Sequence, residues 1–244
     1  DTCELDYLRF MKPTDTIPNL PSSIPNDARA YSINGSHIIL ENQYIRLAFI
    51  KESYGYGKAR FFVKRGSSWD SAGPIEPIGY LAYDSQSRGE VETPLYPLQY
   101  AIPLAQGDSA RVTLFRDYLD KDNITWHAMF RFKIEKTKKY IQAKYQIWAE
   151  NDRELLYFAG PSIYAGRHAF KDSMDEALQP GMKWLVENEI SDDTLDDTTS
   201  TRFTQAPHPY KVTIHAMAVI YDSILVGLAW DPLQEWSQGN LKPS

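Results

Sequence analysis

The sequence predicts an all-β chain whose antiparallel strands pack as a sandwich, with one short helix. Short runs rich in Val, Ile, Phe, Tyr and Trp follow one another from His37 onward, and turn-forming clusters such as RGSS, NDRE and YDS separate them. Long amphipathic helices do not alternate with these runs, which points to antiparallel rather than parallel sheets. Aromatic residues make up 13% of the chain, with 16 Tyr and 6 Trp, and flat rings pack well on a pleated surface.

The elements follow in order. Residues 13–30, PTDTIPNLPSSIPNDARA, hold four prolines among Ser, Asn and Asp and cannot form a ladder or a helix interior. Residues 1–30 therefore read as an extended leader draped over the domain. The β-sandwich domain occupies residues 31–232, and residues 233–244 form a polar tail or linker. The strand segments are HIIL, YIRLAFI, ARFFVK, IGYLAYD, ARVTLF, ITWHAMFRFKIE, YIQAKYQIWAE, MKWLVENEI, KVTIHAMAVIY and ILVGLAW. The predicted helix is KDSMDEALQPG, with Asp172 or Ser173 as N-cap and Pro180-Gly181 as its stop.

Two hairpins can be registered from pattern alone. A two-residue turn at Asp222-Ser223 pairs Ile220 with Leu225 and sets His215 opposite Trp230. Both faces of that hairpin are apolar, as in strands covered on both sides, so His215 reads as a core histidine. A loop at Lys136 to Lys139 pairs Ile134 with Ile141, Phe132 with Ala143, Phe130 with Tyr145 and Ala128 with Ile147. The opposite face pairs His127 with Trp148, Met129 with Gln146, Arg131 with Lys144 and Lys133 with Gln142. Arg131 facing Lys144 is unfavourable by a few tenths of a kcal/mol unless something neutralises the pair.

The composition also excludes function classes. A chain of 244 residues, 43% hydrophobic, can bury one large core or two small ones. A net charge of −6 argues against nucleic acid as a partner, since phosphate neutralisation needs clustered cations. No run of eighteen apolar residues is present to span a membrane. The single cysteine, Cys3, excludes an internal disulfide framework and a cysteine-built zinc site. The chain has no phosphate-cradling glycine loop, paired-histidine zinc helix or nucleophile elbow, and its five histidines are scattered, so neither cofactor nor metal is expected.

The remaining signal is aromatic and polar. The stretch GMKWLVENEISDDTLDD places Trp184 on the inner side of a strand, with Glu187 and Glu189 together on the other. About 7 Å of strand separates those two acids, a spacing open both to carboxylates acting on a sugar and to ordinary solvated side chains. Trp69 in RGSSWDSAG, and Tyr54 and Tyr56 in ESYGYGK, sit among turn formers where a core does not need them. With Trp148, His127, Arg131, Lys144 and Gln146 they compose a surface suited to carbohydrate, the rings covering C–H faces and the polar groups bonding hydroxyls. Trp184 and Trp230 are expected in the core, and Trp148 and Trp69 outside it.

The stretch GMKWLVENEIS…TLDD…PHPYKVTIHAMAVIYDSILVGLAWDP, with ENQYIRLAFIKESYGYGKARFFV upstream, resembles the N-terminal β-sandwich of large bacterial carbohydrate-active enzymes. That sandwich is of the galactose-mutarotase-like supersandwich type, and the likeness, one of strand order and short phrases, covers residues 33–232. It implies a non-catalytic carbohydrate-binding or substrate-presenting domain of a larger glycoside hydrolase or polysaccharide lyase, secreted or on the cell surface. Its implied partners are a polysaccharide or oligosaccharide and an adjoining catalytic domain of the same polypeptide. No catalytic residue carries over. The alternatives are a mutarotase- or epimerase-like enzyme, with His127 and Glu187 as nearest counterparts of the family's acid and base, and a structural buttress.

Overall fold

The computed structural model describes residues 19–52, 55–76, 78–95, 100–104, 106–166, 174–179, 183–186 and 214–231. These residues are all-β, their strands are antiparallel, and no helix occurs among them. Strands are numbered in chain order. The first sheet runs β5 (Ser68–Ile75), β4 (Gly55–Arg65), β3 (Ile45–Glu52), β2 (His37–Glu41), β1 (Ala28–Ile33), β9 (Gln106–Gly107). The second runs β12 (Ile141–Ala149), β11 (Thr125–Glu135), β10 (Ser109–Leu119), β8 (Tyr100–Leu104). A third is β13 (Leu155–Ala159), β6 (Tyr80–Ser85), β7 (Gly89–Pro94); the fourth is β15 (Lys183–Val186), β14 (Glu176–Gln179), β16 (Ala216–Tyr221), β17 (Ile224–Ala229).

Alternation sorts the side chains. Ile38, Leu40, Leu47 and Phe49 of the first sheet share one buried cluster with Val112, Leu114, Phe130, Phe132 and Ile134 of the second. Phe49 and Phe132 meet at 5.1 Å between ring centroids, and Phe130 meets Tyr145 edge-on at 4.7 Å. The third sheet closes the same cluster through Leu81 and Tyr83. A Cβ on Gly79 would come within 2.7 Å of the Phe130 ring, so this approach of backbone to ring requires glycine.

Several buried polar groups are paired. Glu41, fully buried, accepts from Arg29 Nε at 2.7 Å, from Tyr31 Oη at 3.0 Å and from Arg46 Nε. Burial and the Glu41 carboxylate push the Tyr31 phenol up to about 12. Asn42 Nδ2 donates to the carbonyls of Glu135 and Lys138, each at 2.7 Å, while its Oδ1 accepts from the amides of Tyr44 and Ile45. One amide thereby ties the β2–β3 turn to the β11–β12 turn. At the other end of β11, Arg153 bonds Asp120 at 3.0 Å and Asp122 at 2.7 Å, and Asp122 also accepts from Ser85 and Ser87 of the β6–β7 turn.

Several expectations are corrected. The stretch predicted as a helix contains β14: Glu176, Ala177 and Leu178 pair with Ile220, Val219 and Ala218, and β15 pairs on the other side. Sheet pairing on both flanks overrides the local helical preference of DEAL. Ala28 already lies in β1, inside the stretch assigned to the leader; earlier in that stretch, Leu20 packs on Ile39, Ala48 and Phe62. The Asp222-Ser223 turn forms as expected, with φ of 45° and 61°, and pairs Ile220 with Leu225. Its hairpin is covered only in part. Tyr221, Ile224 and Val226 pack on Ala72, Phe61 and Val63, whereas Met217 on that same face, Leu225 on the other, and Ile214 ahead of the strand are exposed. His215 and Trp230 are half-buried rather than core, their rings edge-on at 6.2 Å. The side chain of Trp184, and the segment 187–197, lie outside the described residues.

Two outcomes are expected. Phe130→Ala should cost about 3–5 kcal/mol by urea denaturation, and Trp148→Ala well under half of that. Asp122 is held down to about 2 by hydrogen bonds from Ser87, the Gln86 amide and Ser85. Burial would raise Asp120, but the amides of Ile124 and Asp122, the Trp126 indole and Arg153 hold it below its ordinary value. Both carboxylates are depressed in the folded state, so their stabilisation is complete above about 4 and lost as the pH falls toward 2. Asp122→Asn should flatten the melting temperature against pH across that window.

Candidate functional site

The outward residues of β11 are what its buried residues leave over. Trp126, Ala128, Phe130, Phe132 and Ile134 face the core, so Thr125, His127, Met129, Arg131 and Lys133 face away. On β12 the outward set is Gln142, Lys144, Gln146 and Trp148, all exposed, and the pairing is the one expected: His127 with Trp148, Met129 with Gln146, Arg131 with Lys144, Lys133 with Gln142.

A third strand completes the face. β10 pairs Asp117 with His127, Phe115 with Met129, Thr113 with Arg131 and Arg111 with Lys133. The sequence reading did not assign these residues. The signal was the turn-forming LDKDNI between two apolar alternations: Asp120 Oδ1 accepts from the amides of Asp122 and Ile124, and Asn123 takes φ of 62°. Centring a hairpin on that turn puts Asp117 across from His127.

At one end of the face the Trp148 indole, 49% exposed, lies against the imidazole of His127 at 5.2 Å and 28°. His127 Nδ1 donates to Asp117 Oδ1 at 2.8 Å, and Nε2 stands 3.5 Å from Glu150 Oε1. The hydrogen bond to Asp117, and then that carboxylate's charge, raise the His127 pKa above its ordinary value. Each ring nitrogen thus has a carboxylate, and the imidazole is held flat beneath the indole. Leu119, on the same face of β10, is 59% exposed.

The other end of the face is cationic. Lys133 is bound to Glu135 at 2.9 Å, but among the described residues Arg131, Lys144 and Arg111 have no carboxylate partner. Among the described residues the buried Nε of Arg131 has no hydrogen-bond partner, and its Nη2 lies 3.9 Å from the Met129 sulfur. The repulsion between Arg131 and Lys144 read from the sequence is therefore present and not neutralised by these residues.

The other predicted site residues lie elsewhere. Tyr56 is in β4 and buried, with Lys51 Nζ 5.9 Å from its ring, so it offers no open face to a ligand. Trp69 is in β5 and half-buried: Arg46 sits 4.3 Å over its ring, and its Nε1 donates to the Ser23 carbonyl at 3.4 Å. Its ring covers a buried cation rather than standing free at a loop tip. Tyr54, Glu187 and Glu189 lie outside the described residues. No three of His, Cys, Asp and Glu cluster to hold a metal ion, and no helix is long and apolar enough to cross a membrane, among the described residues.

The His127 arrangement makes a prediction about pH. Because the folded-state pKa is raised, its stabilising contribution is complete below 6.5 and is lost as the pH rises through the higher folded value. Following the imidazole protons by NMR should show a midpoint above 6.5, and Asp117→Asn should bring it down. An unchanged midpoint in Asp117→Asn would mean that this hydrogen bond does not set it.

No family model, curated protein or solved structure matches this chain, so what the face does is read from its geometry.

Proposed function

We propose that this chain is a non-catalytic carbohydrate-binding or substrate-presenting domain of a larger glycoside hydrolase or polysaccharide lyase. The supporting observation is the outer face of β10, β11 and β12. It holds a half-exposed indole fixed on an imidazole, amide side chains at Gln142 and Gln146, and, at Arg131, Lys144 and Arg111, cations without a carboxylate partner among the described residues. A flat ring suits the C–H face of a sugar, and the amides and cations suit its hydroxyls and charged substituents. On this reading the first and second sheets are the layers of a galactose-mutarotase-like β-sandwich, supported by the cluster their inner faces share. On the same reading the protein is secreted or at the cell surface, and the domain holds a polysaccharide or oligosaccharide beside a catalytic domain of the same polypeptide. A mutarotase-like use of His127 as acid or base is less well supported, since a carboxylate stands at each ring nitrogen.

Binding on a sheet face exposed chiefly along β12 should be weak, with Kd on the order of 10–1000 μM. Affinity electrophoresis through a panel of polysaccharides tests the reading. The wild-type chain should be retarded by at least one of them, and Trp148→Ala should restore free mobility while the melting temperature stays nearly constant. Retardation that persists in Trp148→Ala would remove this face as the site, and sugar turnover by the isolated chain would favour an enzyme.

A further inference from the structure

We infer that the outer face of the second sheet recognises an anionic glycan at two separate points: an uncharged part of a sugar stacks on Trp148, and an oxyanion of another residue lies among Arg131, Lys144 and Arg111. The inference rests on the carbohydrate reading above and names the class of chain and the way it lies. Lys144 and Trp148 are four residues apart on β12, about 13 Å along the strand. That span exceeds one sugar ring, so the stacked ring and the charged group belong to different residues of an oligosaccharide. The pairing sets Arg131 beside Lys144 and makes Arg111 a diagonal neighbour of Arg131, about 7–8 Å away. None of the three is matched by a carboxylate among the described residues, whereas the neighbouring Lys133 is matched by Glu135. Three cations that no described carboxylate matches, on one face of a chain of net charge −6, repel one another until an anion joins them.

The opposite end fixes the polarity. Asp117 and Glu150, both exposed, flank the imidazole under Trp148 and disfavour an anion beside the stacked ring. Single-stranded nucleic acid, which also stacks on indoles beside cations, fits less well, because each stacked base brings its own phosphate to this acidic end. The charged substituent can be a uronate carboxylate or a sulfate ester, since both are oxyanions accepting charge-assisted hydrogen bonds from Arg and Lys.

Affinity electrophoresis with matched gels tests this. The probes are polygalacturonate, its carboxyl-reduced form, a sulfated galactan, the desulfated galactan, and single-stranded DNA. At least one charged glycan should bind about tenfold or more tightly than its neutral counterpart, and added NaCl should weaken it. Which charged glycan binds identifies carboxylate or sulfate. Lys144→Gln and Arg111→Gln, both on exposed side chains, should weaken binding to the charged glycan far more than binding to its neutral counterpart, erasing most of the preference for charge. Trp148→Ala should weaken both. Oligomers of the bound glycan should compete and its monosaccharide should not. Equal binding to charged and neutral glycans, or competition by the monosaccharide, overturns the two-point inference and leaves the carbohydrate reading standing. Retardation by no glycan overturns both, and tighter binding to DNA than to any glycan replaces them with a nucleic-acid surface.

Discussion

The architecture depends on one constraint, the two-residue alternation of β11 while its sheet is pressed against the first. Phe130, Phe132 and Ile134 are buried in the shared cluster, and a one-residue slip would put Met129, Arg131 and Lys133 there instead. Burying unpaired cations costs far more than any local gain, so the register has no competitor. The outer face is consequently as well determined as the core, although the core residues do not touch it. Both hairpin turns reinforce that register, the one at Asp120 to Ile124 through its own carboxylate and the one after Glu135 through Asn42.

The charged groups fall into two kinds. Glu41 with Arg46, and Asp120 with Arg153, are buried ion pairs that the half-buried Arg29 and Asp122 extend, and their remaining valences are taken by Tyr31, serines, amides and an indole. Such groups anchor turns and strand ends, and breaking one partner would strand the others. On the outer face of the second sheet the pattern differs. Cations there stand beside cations, and the histidine is paired on both sides at the end where the indole lies. Trp69 and Trp148 show the same contrast. The first is packed on the buried Arg46, and the second rests on His127 with its other face open.

The sequence by itself determined the all-β class, the antiparallel hairpin of β11 and β12 down to each facing pair, and the Asp222-Ser223 turn, because these depend on alternation and turn chemistry over short separations. It also showed the indole, the histidine and the opposed Arg131 and Lys144 on one face. Only the tertiary structure decided what lies beside that hairpin: β10 brings Asp117 to His127 and Arg111 near Arg131, and the turn after β12 brings Glu150 to the other ring nitrogen. It decided, too, that Glu176 to Gln179 pair as a strand between two others, that Tyr56 is inside, and that Trp69 covers Arg46. The physical reason is the same in each case. Period and propensity act along a few residues, whereas burial and charge pairing depend on neighbours tens of residues away, which the local pattern does not name.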